Sequence, residues 1–401
     1  MIDHARQKVL LPALLFLAIS GGGVAAQVSP GTAPSTVVQG GVTVTGTVMA
    51  EAGFPLPYST VTIDAIGRER FTDQTGTFTY YAVPAGKYRV RIRQLGYIPV
   101  DTSITVQAGM ARVSFVMSKI ATALAEVQVS APPRRCIVPM PDGFVDDPEL
   151  ATVLTEARKN ADRERLLRRT YPFEYRLAQS HDTYDPIANT HSIRYDTTTF
   201  RSDDNWRYRK GRVVGDDRSK LFGEIRVMRL PTLSDLSDRS FLTAHCFKYA
   251  GIVQQAGFAT HQIDFAPDSS IIAPDVEGSI FIDSATYLIR RAEFRLTRGG
   301  TVTPAILGMV VTTTYREILP NVALFDEISS VQPLPPPVPG AKPPEFREHQ
   351  RLLSFRFIRG GPPGTDGHKW ISAAQLRGDS AASSAVSPAS AATEPPPPRN
   401  K

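Results

Sequence analysis

The sequence feature that most constrains the fold is a repeated pattern of alternation. In short runs along most of the chain, β-branched or aromatic residues alternate with polar ones. Early examples are residues 42–49 and 59–66. In "KYRVRIR", Tyr88, Val90 and Ile92 share one face of a strand and the basic residues share the other. Gly, Pro or Asp bounds each run, as is typical of antiparallel strands joined by tight turns. The sequence therefore predicts a mainly β protein.

Three glycines punctuate the first part of the chain at intervals of ten residues: Gly76, Gly86 and Gly96. Each lies in a short turn motif, "DQTG", "VPAG" or "LGY". Asp73 can accept hydrogen bonds from backbone amides, and Pro84 fixes its own φ. The spacing matches neither phosphate-binding glycine pattern, and no helix follows. We interpret these glycines as parts of a scaffold rather than of a catalytic loop.

The segments "PYSTVTI", "TDQTGTFTYYAVPAGKYRV" and "LGYIP" together resemble the carboxypeptidase regulatory-like domain, a transthyretin-like β-sandwich of seven strands. The resemblance covers about 80 to 90 residues and implies a structural or interaction module, from a superfamily often grouped with carbohydrate-binding-like folds. The residues that match the domain motif, all interpreted as structural, are Gly46, Asp73, Gly76, Phe78, Pro84, Gly86, Tyr88, Gly96 and Tyr97.

A helix is predicted to open the second part of the chain. Asp147 is a suitable N-cap, Pro148 suits the first helical position, and Pro172 ends the pattern. Eight or nine amphipathic strands follow, which predicts a curved antiparallel sheet, or half-barrel, around one helix. The hairpin "GSIFIDSATYLIRRAEFRL" at 278–296 resembles that of periplasmic lipoprotein carriers. This resemblance implies a domain that holds a lipid or another apolar ligand.

The first 26 residues have the layout of a secretory signal peptide. Arg6 and Lys8 precede an apolar run at 9–19, and small residues follow at 24–26. The apolar run is too short for a membrane-spanning helix, which needs about 20 residues. We therefore expect an exported protein of the periplasm or the outer-membrane periphery, with no transmembrane span after signal cleavage.

Composition divides the chain into six predicted parts. The tail is rich in Gly, Pro, Ala and Ser, and such a segment buries too little apolar surface to fold by itself. The predicted parts are a signal peptide at 1–26, a linker at 27–38, the β-sandwich at 39–130, a Pro-rich linker at 131–146, the curved-sheet domain at 147–358 and a disordered tail at 359–401.

The chain has two cysteines, Cys136 and Cys246. In an oxidising compartment such a pair is a candidate disulfide. The alternative is two separate buried thiols.

The sequence has no recognisable catalytic, cofactor-binding or metal-binding motif. It lacks H-x-x-E, H-E-x-x-H and G-x-S-x-G. The net charge is only +6, and the basic runs 163–169 and 207–212 are interpreted as solvated faces rather than as a nucleic-acid site. The sequence thus predicts an exported non-enzymatic envelope protein that holds a lipid or apolar ligand. A scaffold or adhesion protein that binds proteins or carbohydrates is the alternative, and a peptidase accessory is the least favoured.

Overall fold

The computed structural model describes residues 41–109, 112–120, 147–185, 188, 190–203, 207–219, 223–299, 308–333, 340, 345–365 and 367–377. All of them belong to one compact unit, Gly40–Lys401. The predicted signal peptide, both predicted linkers and Cys136 lie outside the described residues. The signal peptide and the disulfide therefore stay predictions.

Seven strands form the predicted β-sandwich near the N-terminus. One sheet has the order β4-β1-β7 and the other β3-β2-β5-β6, and only the β1–β7 pair is parallel. Alternate residues of both sheets meet in one buried cluster that includes Val48, Phe78 and Ile92. The strands are β1 Val42–Ala50, β2 Thr60–Ile63, β3 Arg68–Phe71, β4 Thr77–Val83, β5 Gly86–Arg93, β6 Val100–Val106 and β7 Val113–Met117.

Helix α1 spans Pro148–Thr170 and has the ends that the sequence predicts. The Asp147 side chain accepts hydrogen bonds from the amides of Glu149 and Leu150, so it caps the helix. The helix ends before Pro172, because a proline ring cannot continue it. Apolar residues spaced three or four positions apart form a buried stripe on the helix: Leu150, Val153, Leu154, Ala157 and Ala161.

A large curved antiparallel sheet follows the helix, which confirms the predicted fold class. Its strand order is β12-β13-β14-β15-β16-β17-β18-β8-β9, and β19 also pairs with β18. Strands β10 Val214–Ser219 and β11 Gly223–Met228 form a separate pair. The strands of the large sheet are β8 Phe173–Asp185, β9 Thr190–Arg201, β12 His245–Gln255, β13 Phe258–Pro267, β14 Val276–Asp283, β15 Ile289–Leu296, β16 Val310–Leu319, β17 Val322–Pro333, β18 Glu345–Phe357 and β19 Ile371–Ser372.

The apolar stripe of α1 packs on the concave face of this sheet. Leu154 and Ala161 share a buried cluster with Ile263, Ile280 and Phe294, which come from three neighbouring strands. A single turn at Leu233–Ser237 and the short helix α2 Arg239–Leu242 complete this part of the fold, and another single turn, Asp64–Ile66, lies between β2 and β3 of the sandwich. Within the described ranges, no helix combines the length and hydropathy needed to cross a bilayer.

The expectation of disorder from residue 359 onward is wrong for the segment up to residue 377. That segment contains β19 and the helix α3 Ala373–Arg377. Trp370 lies under the guanidinium groups of Arg176 and Arg356, at 4.3 and 4.8 Å from its ring centroid. Ala373 is fully buried. The composition of this segment did not predict its ordered structure, because its few apolar residues pack on strands that are distant in sequence.

Candidate ligand-binding face

Four long strands extend past the end of α1. We name the parts of these strands that lie at and beyond the last turn of α1 the wing: residues 325–333 of β17, 345–352 of β18, 175–185 of β8 and 190–200 of β9. The last turn of α1 lies at the base of the wing, where the Arg168 side chain donates to the Ser202 carbonyl at 3.3 Å. Leu166 and Leu167 of that turn share a buried cluster with Leu177 and Leu352. The concave face of the wing therefore continues the face of the sheet on which α1 packs.

At the base of the wing this concave face is aromatic. Tyr175 stacks on Phe200 with ring centroids 5.6 Å apart and meets Phe325 edge-on at 5.2 Å. Tyr175 and Phe200 are half-buried, whereas Phe325 is buried. Ile328, from the next strand, packs against the same cluster. This part of the face presents partly exposed apolar surface.

Farther out, the same face becomes polar. The β8–β18 register places Gln179 opposite Gln350 and His181 opposite Glu348. All four are half-buried, and the ring of His181 stacks on that of Phe346 at 6.0 Å. The concave face thus grades from aromatic to polar away from α1, an arrangement that suits a molecule with one apolar and one polar end.

The described residues hold no group of three or more His, Cys, Asp and Glu side chains arranged to bind a metal ion. The most chemically varied cluster is buried instead. Asp275 accepts hydrogen bonds from Tyr208 Oη and the Gly211 amide, both at 2.8 Å, and lies 3.6 Å from His245 Nε2. Asp275 and His245 have no exposed surface. This cluster fastens a loop to β14 and offers no opening to a substrate.

A second buried polar cluster joins α1 to the sandwich. Lys159 Nζ contacts a Glu156 carboxylate oxygen at 2.5 Å and donates to the carbonyls of Gln94 and Tyr97 at 3.0 and 2.7 Å. The other carboxylate oxygen of Glu156 accepts from the Gly96 amide at 3.0 Å. Burial raises the pKa of Glu156 and lowers that of Lys159, and their mutual attraction opposes both changes.

The interpretation of 163–169 as a solvated face is wrong for its first two residues. Arg163 and Glu164 are buried. Arg163 donates to the Tyr58 carbonyl and to the side-chain oxygen of Gln94, and both acceptors belong to the sandwich. These charges are buried because the sandwich covers the side of α1 that faces away from the sheet. Nothing in the sequence of α1 predicts that the sandwich covers this side of the helix.

On its sheet side, α1 is held by Asn160. Its side-chain nitrogen donates to the Tyr287 carbonyl at 2.8 Å, and its side-chain oxygen accepts from the Ile289 amide at 3.0 Å. Asn160 therefore binds the backbone at the turn between β14 and β15. Polar contacts hold α1 from both sides and fix its position over the sheet.

The sequence-predicted motif residues all lie in the sandwich, and only some contact α1. Asp73 accepts hydrogen bonds from the Thr75 and Thr77 amides at 2.8 Å, and Gly76 has φ of 72°. In the next hairpin the residue with a left-handed conformation is Ala82, whose φ is 54°. Gly86 is the first residue of β5 and does not make this turn. Gly46 and Phe78 touch each other within the sandwich, as do Pro84 and Tyr88.

Gly96 and Tyr97 have a role that the scaffold interpretation missed. Gly96 has φ of 72°, and a side chain there would lie 3.4 Å from the Tyr287 ring. The turn at 95–97 therefore favours glycine for its left-handed conformation, and it lies in contact range of the second part of the chain. It is the loop that docks on Glu156 and Lys159.

Comparison with known proteins supports the predicted resemblance of the first part. Residues 43–118 match the family model of the carboxypeptidase regulatory-like domain. This match covers a small part of the 401 residues, so it describes the sandwich and not the whole chain. No curated protein matches the chain in sequence.

Several crystal structures are similar to about half of the chain. A DUF1329 family protein from Desulfovibrio piger matches with a TM-score of 0.32 and 9% identity, over 57% of this chain and 98% of that chain. A putative outer membrane lipoprotein-sorting protein domain from Vibrio parahaemolyticus gives 0.30 and 13%, over 57% and 97%. A LolA superfamily protein from Nitrosomonas europaea gives 0.26 and 10%, over 51% and 94%. All three TM-scores and identities are low, and these similarities carry no conclusion about function.

Proposed function

We propose that the chain is an exported, non-enzymatic protein of the bacterial cell envelope that binds an amphiphile, such as a lipid, on the concave face of the wing. The observation that supports this proposal best is the change along that face. Partly exposed aromatic rings lie next to α1, and a polar row of Gln, His and Glu side chains lies beyond them. An acyl chain would cover the aromatic part, and its head group would hydrogen-bond to the polar row.

The sandwich has a supporting role in this proposal. It covers the charged side of α1 through Gly96, Tyr97 and Gln94, so the helix stays seated on the sheet. A helix fixed in this way covers the inner part of the concave face and leaves the wing as the open surface. The sandwich therefore contributes to the binding face without touching the ligand.

Titration with a fluorescent fatty acid, dansyl-aminoundecanoic acid, tests the proposal. We expect the Phe200→Asp variant to bind the probe at least about tenfold more weakly, because full burial of a Phe side chain contributes about 1.5–3 kcal/mol. The matched control is Thr199→Asp, which puts the same carboxylate on the opposite face of the same strand. Equal probe affinity for both variants, with both folded by circular dichroism, would rule out this binding face.

A second candidate function, binding of a neutral glycan, is favoured by one face of the sandwich. Strands β1, β4 and β7 contain no charged residue. Their outer face pairs Thr45 with Thr79 and Thr47 with Thr77, and Tyr81 beside them is 60% exposed. Hydroxyl groups and an exposed aromatic ring can hydrogen-bond and stack on sugars. Affinity electrophoresis in neutral polysaccharide tests it: Tyr81→Ala should abolish any retardation of the wild-type protein.

A further inference from the structure

Strand β9 is an edge strand of unusual exposure. It ends the strand order of the large sheet, and in the part of the chain that the structure describes no strand pairs with its outer side. It runs for 12 residues against β8 without a shift in register. Nearly all of its side chains are exposed, with Tyr195 at 78% and Ile193 at 51%. Such an edge offers a row of backbone donors and acceptors to another strand.

The opposite edge of the same sheet differs. Strand β12 has a register shift between Tyr249 and Gly251, and Gly251 has φ of 93°. Irregularities of this kind prevent edge pairing in natural sheets. By contrast, β9 contains four threonines with Ile193, Tyr195 and Phe200, and it has no Pro, Gly or Lys. Of the two edges, only β9 is regular enough to receive another strand along its whole length.

The sequence of β9 is complementary to itself when it is reversed. In an antiparallel pair centred on Tyr195, Arg194 of one copy lies opposite Asp196 of the other, and the same contact repeats across the two-fold axis. Ile193 then lies opposite Thr197, and the two Tyr195 rings meet on the convex face. Opposite charges placed directly across an antiparallel pair stabilise it.

From this complementarity we propose that β9 pairs with β9 of a second copy of the chain, antiparallel and centred on Tyr195. The occupant of the edge is another molecule of the same protein. The two wings then form one continuous sheet, and their concave faces lie side by side. This pairing needs no ligand, so it holds whether or not the concave face binds an amphiphile.

Cysteine cross-linking tests the register. Residues directly opposite in an antiparallel pair have Cα atoms about 4.5–5.5 Å apart, within the range of a disulfide. Tyr195→Cys should therefore give a covalent dimer on a non-reducing gel after mild oxidation of the full-length exported protein. In the matched control Thr199→Cys, on the same face, the two cysteines would be about 27 Å apart at 3.4 Å per residue. It should give at least tenfold less dimer, and equal cross-linking by both variants would overturn the proposed register.

Charge reversal tests the contact itself by sedimentation velocity over a range of concentrations. The wild type should dimerise. Arg194→Asp and Asp196→Arg should each form homodimers with an affinity at least tenfold lower than that of the wild type, because like charges then lie opposite each other at two places. An equimolar mixture of the two variants, or the double variant with both changes, should dimerise again. Glu277→Arg, on a distant strand, changes the net charge as much as Asp196→Arg and should leave the dimer intact. A wild type that stays monomeric, or single variants that dimerise like the wild type, would refute the pairing.

Discussion

At the residue scale, Asp275 shows how one carboxylate organises a loop. It accepts from Tyr208 and from the amides of Gly211 and Val276, each at 2.8 Å. Burial opposes its ionisation, but the nearby His245 ring, the two amides and the Tyr208 hydroxyl outweigh burial and lower the pKa of Asp275. The ionised form is therefore the one that the fold stabilises.

We predict that Asp275→Asn lowers the free energy of unfolding at pH 7 by about 2 kcal/mol, the typical value for buried hydrogen bonds to a charged group. Because the folded-state pKa is depressed, this stabilisation is present above the unfolded-state pKa of about 3.9 and is lost as the pH falls through the folded-state value. Urea denaturation should thus show a smaller difference between wild type and variant at pH 3 than at pH 7. A difference of the same size at both pH values would contradict the assignment.

At the element scale, α1 shows which features could be predicted from the sequence. Its N-cap, its end and its apolar stripe follow from local rules that act within a few residues, and the structure has all three. The burial of Glu156, Lys159 and Arg163 could not be predicted, because it depends on a loop some 60 residues or more away. A charged helix side has the same sequence pattern whether water or a second sheet covers it.

The strands also have features that the sequence predicts and features that it does not. Alternation predicts the hairpin at 278–296, and β14 and β15 pair there on either side of a turn at Asp283 and Thr286. Alternation also predicts β9, but it assigns one buried face to that strand, whereas almost every β9 side chain is exposed. The period of a strand shows which residues share a face, and only the tertiary fold determines what covers the face. The candidate site, which depends on uncovered faces, was therefore less predictable than the fold.

The buried Glu156–Lys159 pair predicts a specific pattern of coupling. Removal of one partner leaves the other charge buried without its counter-ion, so Lys159→Met or Glu156→Gln alone should destabilise the protein by about 3–5 kcal/mol. The double variant should lose clearly less free energy of unfolding than the sum of the losses in the two single variants. Urea denaturation of the four proteins measures this coupling. Additive effects would show that the two charges act independently.

At the scale of the whole molecule, the sandwich and the curved sheet share their hydrophobic clusters. Tyr58 and Phe71 of the sandwich lie in one cluster with Leu167 of α1, and Leu95 lies in another with Leu154. The Tyr58 hydroxyl also donates to the Pro363 carbonyl at 3.2 Å. The sandwich is therefore packed into the fold and does not act as a tethered spacer.

This packing predicts that both parts unfold together. In hydrogen exchange followed by mass spectrometry during urea titration, peptides from β5 and from β15 should lose protection at the same midpoint. Leu95→Asp, which puts a charge into the shared cluster, should lower the β15 midpoint as well as that of β5. Separate midpoints in the wild-type protein would show that the two parts fold independently.

The central claim is that the concave face of the wing holds an amphiphile. The most direct measurement is native mass spectrometry of the protein purified without detergent from a host that exports it. We predict an additional mass that disappears after extraction with organic solvent, persists in Thr199→Asp and is absent from Phe200→Asp. A bare protein mass in the wild type, or an additional mass that Phe200→Asp retains in full, would contradict the claim.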